Sequence, residues 1–151
     1  MTKVLIIEAV FYEDVSDMLR SGAVEALKAQ NADFDILTVP GALEIPAALN
    51  FLTQDKSEYD AFVVLGCIIR GETSHYDIVC NESARGVYDL VHARNLALGN
   101  CILTTENRQQ AIVRADPQQK NKGGDAVRAA LRMLQLKNGD YQFSSACKAA
   151  A

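Results

Sequence analysis

The stretch AFVVLGCIIRGETSHYD, residues 61–77, joins the most apolar run of the chain to a polar segment with a glycine and several hydroxyl side chains. Residues 61–66 predict a strand that is buried on both faces, since a short continuous apolar run is typical of a parallel sheet. Residues 76–94 are predicted to form a long helix. A buried strand that leads through a loop into a helix is the repeating unit of parallel α/β folds.

The same alternation of strands and helices extends along the chain in both directions. Predicted strands occupy residues 3–8, 35–39, 61–66 and 98–104, and predicted helices occupy residues 14–28, 43–52, 76–94, 106–115 and 120–136. Right-handed crossovers then predict a three-layer α/β/α sandwich with a four-stranded parallel sheet in flavodoxin-like order. Without an internal repeat or a linker, residues 1–151 are expected to form a single domain, and residues 147–151 are interpreted as a loose tail.

Composition and charge narrow the classes of function. Hydrophobic residues make up 49% and charged residues 23%, as in ordinary soluble globular domains. The net charge of -4, without a basic run, gives no electrostatic reason to bind nucleic acid or an anionic membrane. No apolar run is long enough for a signal peptide or a membrane span, so a cytoplasmic protein is expected.

The cysteines indicate packing rather than metal or redox chemistry. They stand at positions 67, 80, 101 and 147 and form no CxxC pair, so neither a zinc knuckle nor a thioredoxin-type motif fits. We expect reduced thiols that mostly act as small buried apolar residues. A site for a metal or a cofactor is not expected.

Ligands of an open parallel sheet bind beyond the carboxyl ends of its strands. That rule predicts that residues around 9–12, 40–44, 66–75 and 104–106 meet at one edge of the sheet. In the third segment Gly71 permits a tight backbone path, and Thr73 and Ser74 can cap the following helix. The free N–H groups at that helix start form a candidate phosphate site, although an ordinary capped loop would have the same sequence.

His75 is the candidate acid–base residue, because histidine changes charge near neutral pH and His75 falls in this loop. A histidine that merely caps or packs is the alternative interpretation. His92, near the end of the same helix, is more simply a solvated histidine at a helix C-terminus.

Four further residues have two interpretations each. Phe11 is either a stacking surface for a flat ring or a lid on the core. Glu44 either accepts hydrogen bonds from ligand hydroxyls or stabilises a helix N-terminus. Arg114 and Lys122 either supply cations to the site or are solvated surface charges.

Taken together, these segments resemble the lumazine synthase family. The resemblance is carried, in order and over nearly the whole chain, by residues 40–46, 65–77, 81–82, 103–107, 110–114 and 121–123. It implies an enzyme that condenses a ribitylaminopyrimidinedione amine with 3,4-dihydroxy-2-butanone 4-phosphate through a Schiff base, with loss of phosphate and water. It implies no metal or redox cofactor.

The resemblance also assigns residues to the two substrates. Phe11 matches the aromatic side chain that stacks on the pyrimidine ring. The positions that hold the ribityl chain or line the ring are Ala42, Leu43, Glu44, Cys67, Ile68 and Ile69.

The phosphate of the second substrate is expected at Glu72, Thr73 and Arg114. His75 matches the proposed acid–base histidine, and Lys122 matches a lysine near the site.

The family further implies a homopentamer with each site built between neighbouring subunits. The region of Asn100, Arg114 and Lys122 is then expected to face the next chain's loop. Because the first strand begins at about Lys3, the N-terminal arm of shell-forming relatives is missing. Together with the lack of glycines at residues 116–120, this favours a free pentamer over an icosahedral shell.

Two departures from the family leave an alternative open. Val10 and Tyr12 flank Phe11 where many relatives have arginine and asparagine, and Asn100 stands where many relatives have an apolar residue. A non-catalytic paralogue that binds a flavin or lumazine is therefore the alternative, although it would need no acid–base histidine. A Cys67 nucleophile is disfavoured, because its apolar neighbours raise a thiol pKa.

Overall fold

The computed structural model describes residues 1–145; the predicted tail at residues 147–151 lies outside them. Its elements, in chain order, are β1 (Lys3–Ala9), α1 (Glu13–Ala29), β2 (Asp33–Val39), α2 (Glu44–Thr53), β3 (Ala61–Ile69), α3 (His75–Arg94), β4 (Leu98–Thr105), α4 (Arg108–Ala115) and α5 (Lys122–Lys137). Every predicted strand and helix is confirmed. Over this part of the chain, no helix has both the length and the apolar character needed to cross a membrane.

The four strands form one parallel sheet in the order β2-β1-β3-β4, which confirms the flavodoxin-like prediction. The chain leaves β1 towards one edge of the sheet and leaves β3 towards the other. Because parallel crossovers are right-handed, these opposite directions place α1 on one face and α2 and α3 on the other. The helices α4 and α5 return to the face of α1, which completes the three-layer sandwich.

Each face of the sheet has its own apolar core. On the α1 side the core includes Val4, Leu19, Val63, Leu103 and Val127. On the α2 side it includes Ile7, Ile45, Val64, Val87 and Leu98. The strand β3 contributes to both cores, and its residues from 61 to 68 are all buried.

Several element boundaries differ from the sequence prediction. β3 continues to Ile69 rather than ending at residue 66, because it stays paired with β4 as far as Thr105. The helix α4 begins at Arg108 because the Asn107 side chain caps it, accepting a hydrogen bond from the Gln110 amide at 2.9 Å. Asn121, with a left-handed φ of 47°, caps α5 in the same way through the Gly124 amide.

Two glycines allow α5 to approach the rest of the molecule closely. A Cβ atom on Gly99 of β4 would lie 1.8 Å from the carbonyl oxygen of Ala126 in α5. A Cβ atom on Gly123 of α5 would lie 2.2 Å from the carbonyl oxygen of Leu19 in α1. Both obstacles are backbone atoms, so a larger residue would force whole elements apart.

We therefore predict that Gly99→Ala lowers the free energy of unfolding by about 2 kcal/mol, as is usual for an overpacked core. Denaturant titration followed by circular dichroism measures the change. Gly71→Ala is the matched control, because a Cβ atom there would meet nothing within 4 Å. Equal unfolding midpoints for the two variants would contradict the close packing of α5 on β4.

Candidate active site

A cavity of about 420 Å³ lies at the carboxyl ends of the strands, and we call it the crest cavity. It sits at the switch point between β1 and β3, where the two chain directions diverge and leave a crevice. The predicted site residues that line it are Phe11, Ala42, Leu43, Glu44, Cys67, Ile68, Ile69, Thr73 and His75. Three of the four predicted crest segments thus meet in one place.

Phe11 extends from the loop after β1 into the solvent at the cavity mouth. Its side chain is 72% exposed, so the interpretation as a lid on the core is wrong. The ring of Tyr12 meets it edge-on, with 5.0 Å between the ring centroids and 72° between the planes. Edge contact leaves a face of the Phe11 ring for a flat ligand.

The start of α2 forms the neighbouring wall of the cavity. The backbone turns tightly here, because the Glu44 amide donates to the Gly41 carbonyl at 3.1 Å. Ala42 is buried under the turn, whereas the side chains of Leu43 and Glu44 are exposed. Glu44 is the first residue of α2, so its carboxylate gains from the helix dipole and still faces the cavity.

The end of β3 supplies an apolar floor. Cys67 and Ile68 are buried and Ile69 is half-buried. Burial raises the pKa of the Cys67 thiol to about 12, and the charge of Arg108 opposes this only in part. Cys67 is therefore a neutral wall residue, which supports the expectation against a cysteine nucleophile.

The loop between β3 and α3 is exposed at every residue from Arg70 to Ser74. The Thr73 hydroxyl accepts a hydrogen bond from the His75 amide at 3.3 Å. Ser74 occupies the N-cap position without a side-chain cap bond, so only one of the two predicted caps forms. His75, the first residue of α3, is exposed and faces the crest cavity, whereas Glu72 lines no cavity found at the crest.

The remaining predicted residues lie elsewhere. Asn100, Arg114 and Lys122 line a second cavity of about 410 Å³ beside β4, α4 and α5, which we call the edge cavity. The two cavities share no lining residue. Within one chain, the structure therefore separates these three residues from the other predicted positions.

Local bonds hold the polar groups of the edge cavity in place. Arg114 Nη1 donates to the Gln110 carbonyl at 3.1 Å, and the Asn100 side-chain oxygen accepts from the Ile102 amide at 2.8 Å. Lys122 Nζ lies 3.3 Å from a carboxylate oxygen of Asp125. Hydrogen bonds from Arg128 and Lys122 lower the pKa of Asp125, so this carboxylate stays charged beside Lys122.

Sequence reasoning missed several lining residues. Tyr12, Tyr76 and Val79 line the crest cavity, and Asp125 lines the edge cavity. Asp125 could have been found, because it follows Lys122 by three residues on one helix and such pairs face each other. Within residues 1–145, no three His, Cys, Asp or Glu side chains come together as metal ligands do.

Fold and site together define a flavodoxin-like α/β protein with a ligand-sized cavity at its switch point. The family model for 6,7-dimethyl-8-ribityllumazine synthase matches residues 1–138. The chain belongs to this family.

Individual relatives are similar over most of their length. The 6,7-dimethyl-8-ribityllumazine synthase of Bartonella tribocorum is 57% identical over 134 residues, which cover 89% of each chain. That of Zymomonas mobilis subsp. mobilis is 57% identical over 137 residues, covering 91% of this chain and 97% of the relative. The 6,7-dimethyl-8-ribityllumazine synthase 1 of Rhizobium meliloti is 55% identical over 138 residues, covering 89% of this chain and 90% of the relative.

We predict that Cys67 resists alkylation by iodoacetamide at pH 8 in the folded protein, since a thiol whose pKa is raised to about 12 stays protonated there. Mass spectrometry of the Cys67 peptide measures the modified fraction over time. The same protein unfolded in guanidinium chloride is the control, in which Cys67 should react like glutathione. Reaction at the glutathione rate in the folded protein would contradict the prediction.

Proposed function

We propose that this chain condenses 5-amino-6-(ribitylamino)uracil with 3,4-dihydroxy-2-butanone 4-phosphate to 6,7-dimethyl-8-ribityllumazine, releasing phosphate and water, in riboflavin biosynthesis. As a member of its family, the chain is a transferase. The observation that carries the proposal is the crest cavity, which gathers an aromatic side chain, a helix start and a histidine around an apolar floor.

Mixing the two substrates with the protein tests this function directly. Formation of the fluorescent lumazine together with stoichiometric phosphate is the expected result. Binding of the lumazine without turnover would instead favour the non-catalytic paralogue. As proposed, the reaction needs neither a metal nor a redox cofactor, because an amine and a carbonyl group already react with each other.

The pyrimidine substrate fits the crest cavity by its shape and polarity. Its flat ring stacks on Phe11 and lies against the apolar side chains that end β3. Its ribityl hydroxyls donate to the Glu44 carboxylate and lie along the turn at Ala42 and Leu43. The exposure of Phe11 and Glu44 supports this assignment, since neither side chain is committed to the core.

The phosphate of the second substrate is proposed to bind at the start of α3. Free amides at residues 72 and 73 and the positive end of the helix dipole favour an anion there. Arg114 adds charge-assisted hydrogen bonds and Lys122 adds a second positive charge. These two cations stabilise the negative charge of the departing phosphate in a protein whose own net charge is negative.

Catalysis in this proposal depends mainly on positioning. Holding the amine and the carbonyl in register raises their effective concentration, which lowers the barrier more than any single proton transfer. His75 transfers protons between the amine, the carbonyl oxygen and the departing water. Its place at the cavity, beside the proposed phosphate site, supports that role.

We predict that His75→Ala slows turnover by roughly 10- to 100-fold without abolishing it, because positioning survives the loss of a proton carrier. Steady-state formation of the lumazine measures the effect. His92→Ala is the matched control, since His92 lies exposed near the far end of the same helix. A folded His75→Ala protein without any activity would show that the histidine does more than relay protons.

The proposed active form is a free homopentamer in the cytoplasm, with each chain of residues 1–151 as one domain. The separation of the two cavities supports shared sites, because a neighbour's edge cavity can complete the crest cavity, and head-to-tail contacts of this kind close into a ring. Exposed apolar side chains on α2 and α3, among them Phe51 and Ile78, offer contact surface. Light scattering distinguishes a pentamer from a monomer or a shell.

The cysteines support the proposed cytoplasmic location, because unpaired Cys67, Cys80 and Cys101 fit a reducing compartment.

A mixture of two variants tests whether the site is shared. In random 1:1 hybrids of His75→Ala and Arg114→Ala chains, about a quarter of interfacial sites pair two intact halves. We therefore predict activity near a quarter of the wild-type value, above that of either variant alone. Activity that stays at the average of the two variants would mean that His75 and Arg114 act within one chain.

A further inference from the structure

The proposed phosphate loop has little packing to hold it. All residues from Arg70 to Ser74 are exposed, and a Cβ atom added to Gly71 would meet nothing within 4 Å. Such a segment has many accessible backbone conformations, and ordering it costs conformational entropy. A few specific bonds must therefore determine where its amides point.

Arg70 makes most of these bonds, and it makes them to three different segments. Its backbone amide donates to the carbonyl of Thr105 at the end of β4, at 2.9 Å. Its guanidinium Nε donates to Glu106 in the β4–α4 connection at 2.6 Å, and Nη1 lies 3.6 Å from Asp77 in the first turn of α3. The guanidinium also covers the ring of Tyr76, 4.2 Å from its centroid.

We propose that Arg70 is a positioning residue for the phosphate loop, which it holds between the β4–α4 connection and the first turn of α3. The proposal rests on the proposed function, since it assumes that the loop binds the substrate's phosphate. Arg70 lines neither the crest cavity nor the edge cavity, and its guanidinium is engaged by Glu106, Asp77 and Tyr76. It therefore acts through the loop rather than on the substrate.

The chemistry of arginine suits this role. Its planar fork can donate in several directions at once and stack on an aromatic ring, which a lysine ammonium cannot reproduce. A single exposed ion pair usually contributes little. Here one side chain joins the loop to the β4–α4 connection and to the first turn of α3, so its contacts cooperate in restricting the same few backbone bonds.

The experiment combines hydrogen exchange with steady-state kinetics on the full-length protein. Arg70→Gln removes the charge, and Arg70→Lys keeps it without the planar fork. Arg85→Gln is the matched control, because Arg85 also pairs with two acids, Glu82 and Asp89, yet all three lie within α3. Exchange is followed by mass spectrometry on peptides that cover residues 71–76.

We expect Arg70→Gln to speed exchange in this segment and to raise the KM for the phosphorylated ketone roughly 5- to 20-fold, as loss of charge-assisted contacts would. The KM for the amine should change less than about twofold, Arg70→Lys should recover only part of the loss, and Arg85→Gln should match wild type. Glu106→Gln should shift exchange and KM in the same direction but by less, and the double variant should be no worse than Arg70→Gln, since Arg70→Gln already removes the contact with Glu106.

Unchanged exchange and an unchanged KM in Arg70→Gln would overturn the proposal. So would an equal loss for both substrates that follows a lower melting temperature, which would indicate a purely structural arginine. If wild-type protein forms no lumazine while exchange still rises in Arg70→Gln, the proposed function fails and the positioning of the loop by Arg70 stands.

Discussion

β3 is hydrogen-bonded to β1 on one edge and to β4 on the other, and helices cover both of its faces. Its apolar side chains from Ala61 to Ile68 are therefore removed from water, which stabilises the fold by roughly 25 cal/mol for each square ångström buried. Because β1 and β3 lie side by side and send the chain in opposite directions, a crevice opens above them. The last residues of β3 form the floor of that crevice. The burial of this strand therefore also determines the shape of the site.

A buried charge helps to shape the same edge of the sheet. Glu8, near the end of β1, is fully buried, yet Arg20 in α1 and Thr38 in β2 both donate to its carboxylate. Removing one partner of such a group leaves an unpaired charge in the core, which is strongly destabilising. The cluster joins β1, α1 and β2 just before the loop that carries Phe11.

Around the proposed phosphate site, the backbone amides and the cationic side chains lie in separate parts of the chain. The loop before α3 offers backbone amides, while Arg114 and Lys122 lie in the edge cavity, away from the crest cavity of the same chain. In the proposed shared site, a neighbouring chain supplies these cations to the loop. Arg70 orders the loop but adds no free positive charge to it, since Asp77 and Glu106 neutralise its guanidinium.

Local pattern determined the order of elements, the sheet class and the segments at its carboxyl edge, because periodicity and crossover handedness act through neighbours in the chain. It also predicted that His75 and the start of α2 lie at that edge, where both line the crest cavity. Only the tertiary structure decided that β3 runs on to Ile69, that Phe11 stays exposed, that Asn100 bonds its own strand, and that the predicted site falls into two cavities. The length of β3 depends on its pairing with β4, and the edge cavity depends on the approach of α5 to β4. Both are contacts between distant residues that no local pattern encodes.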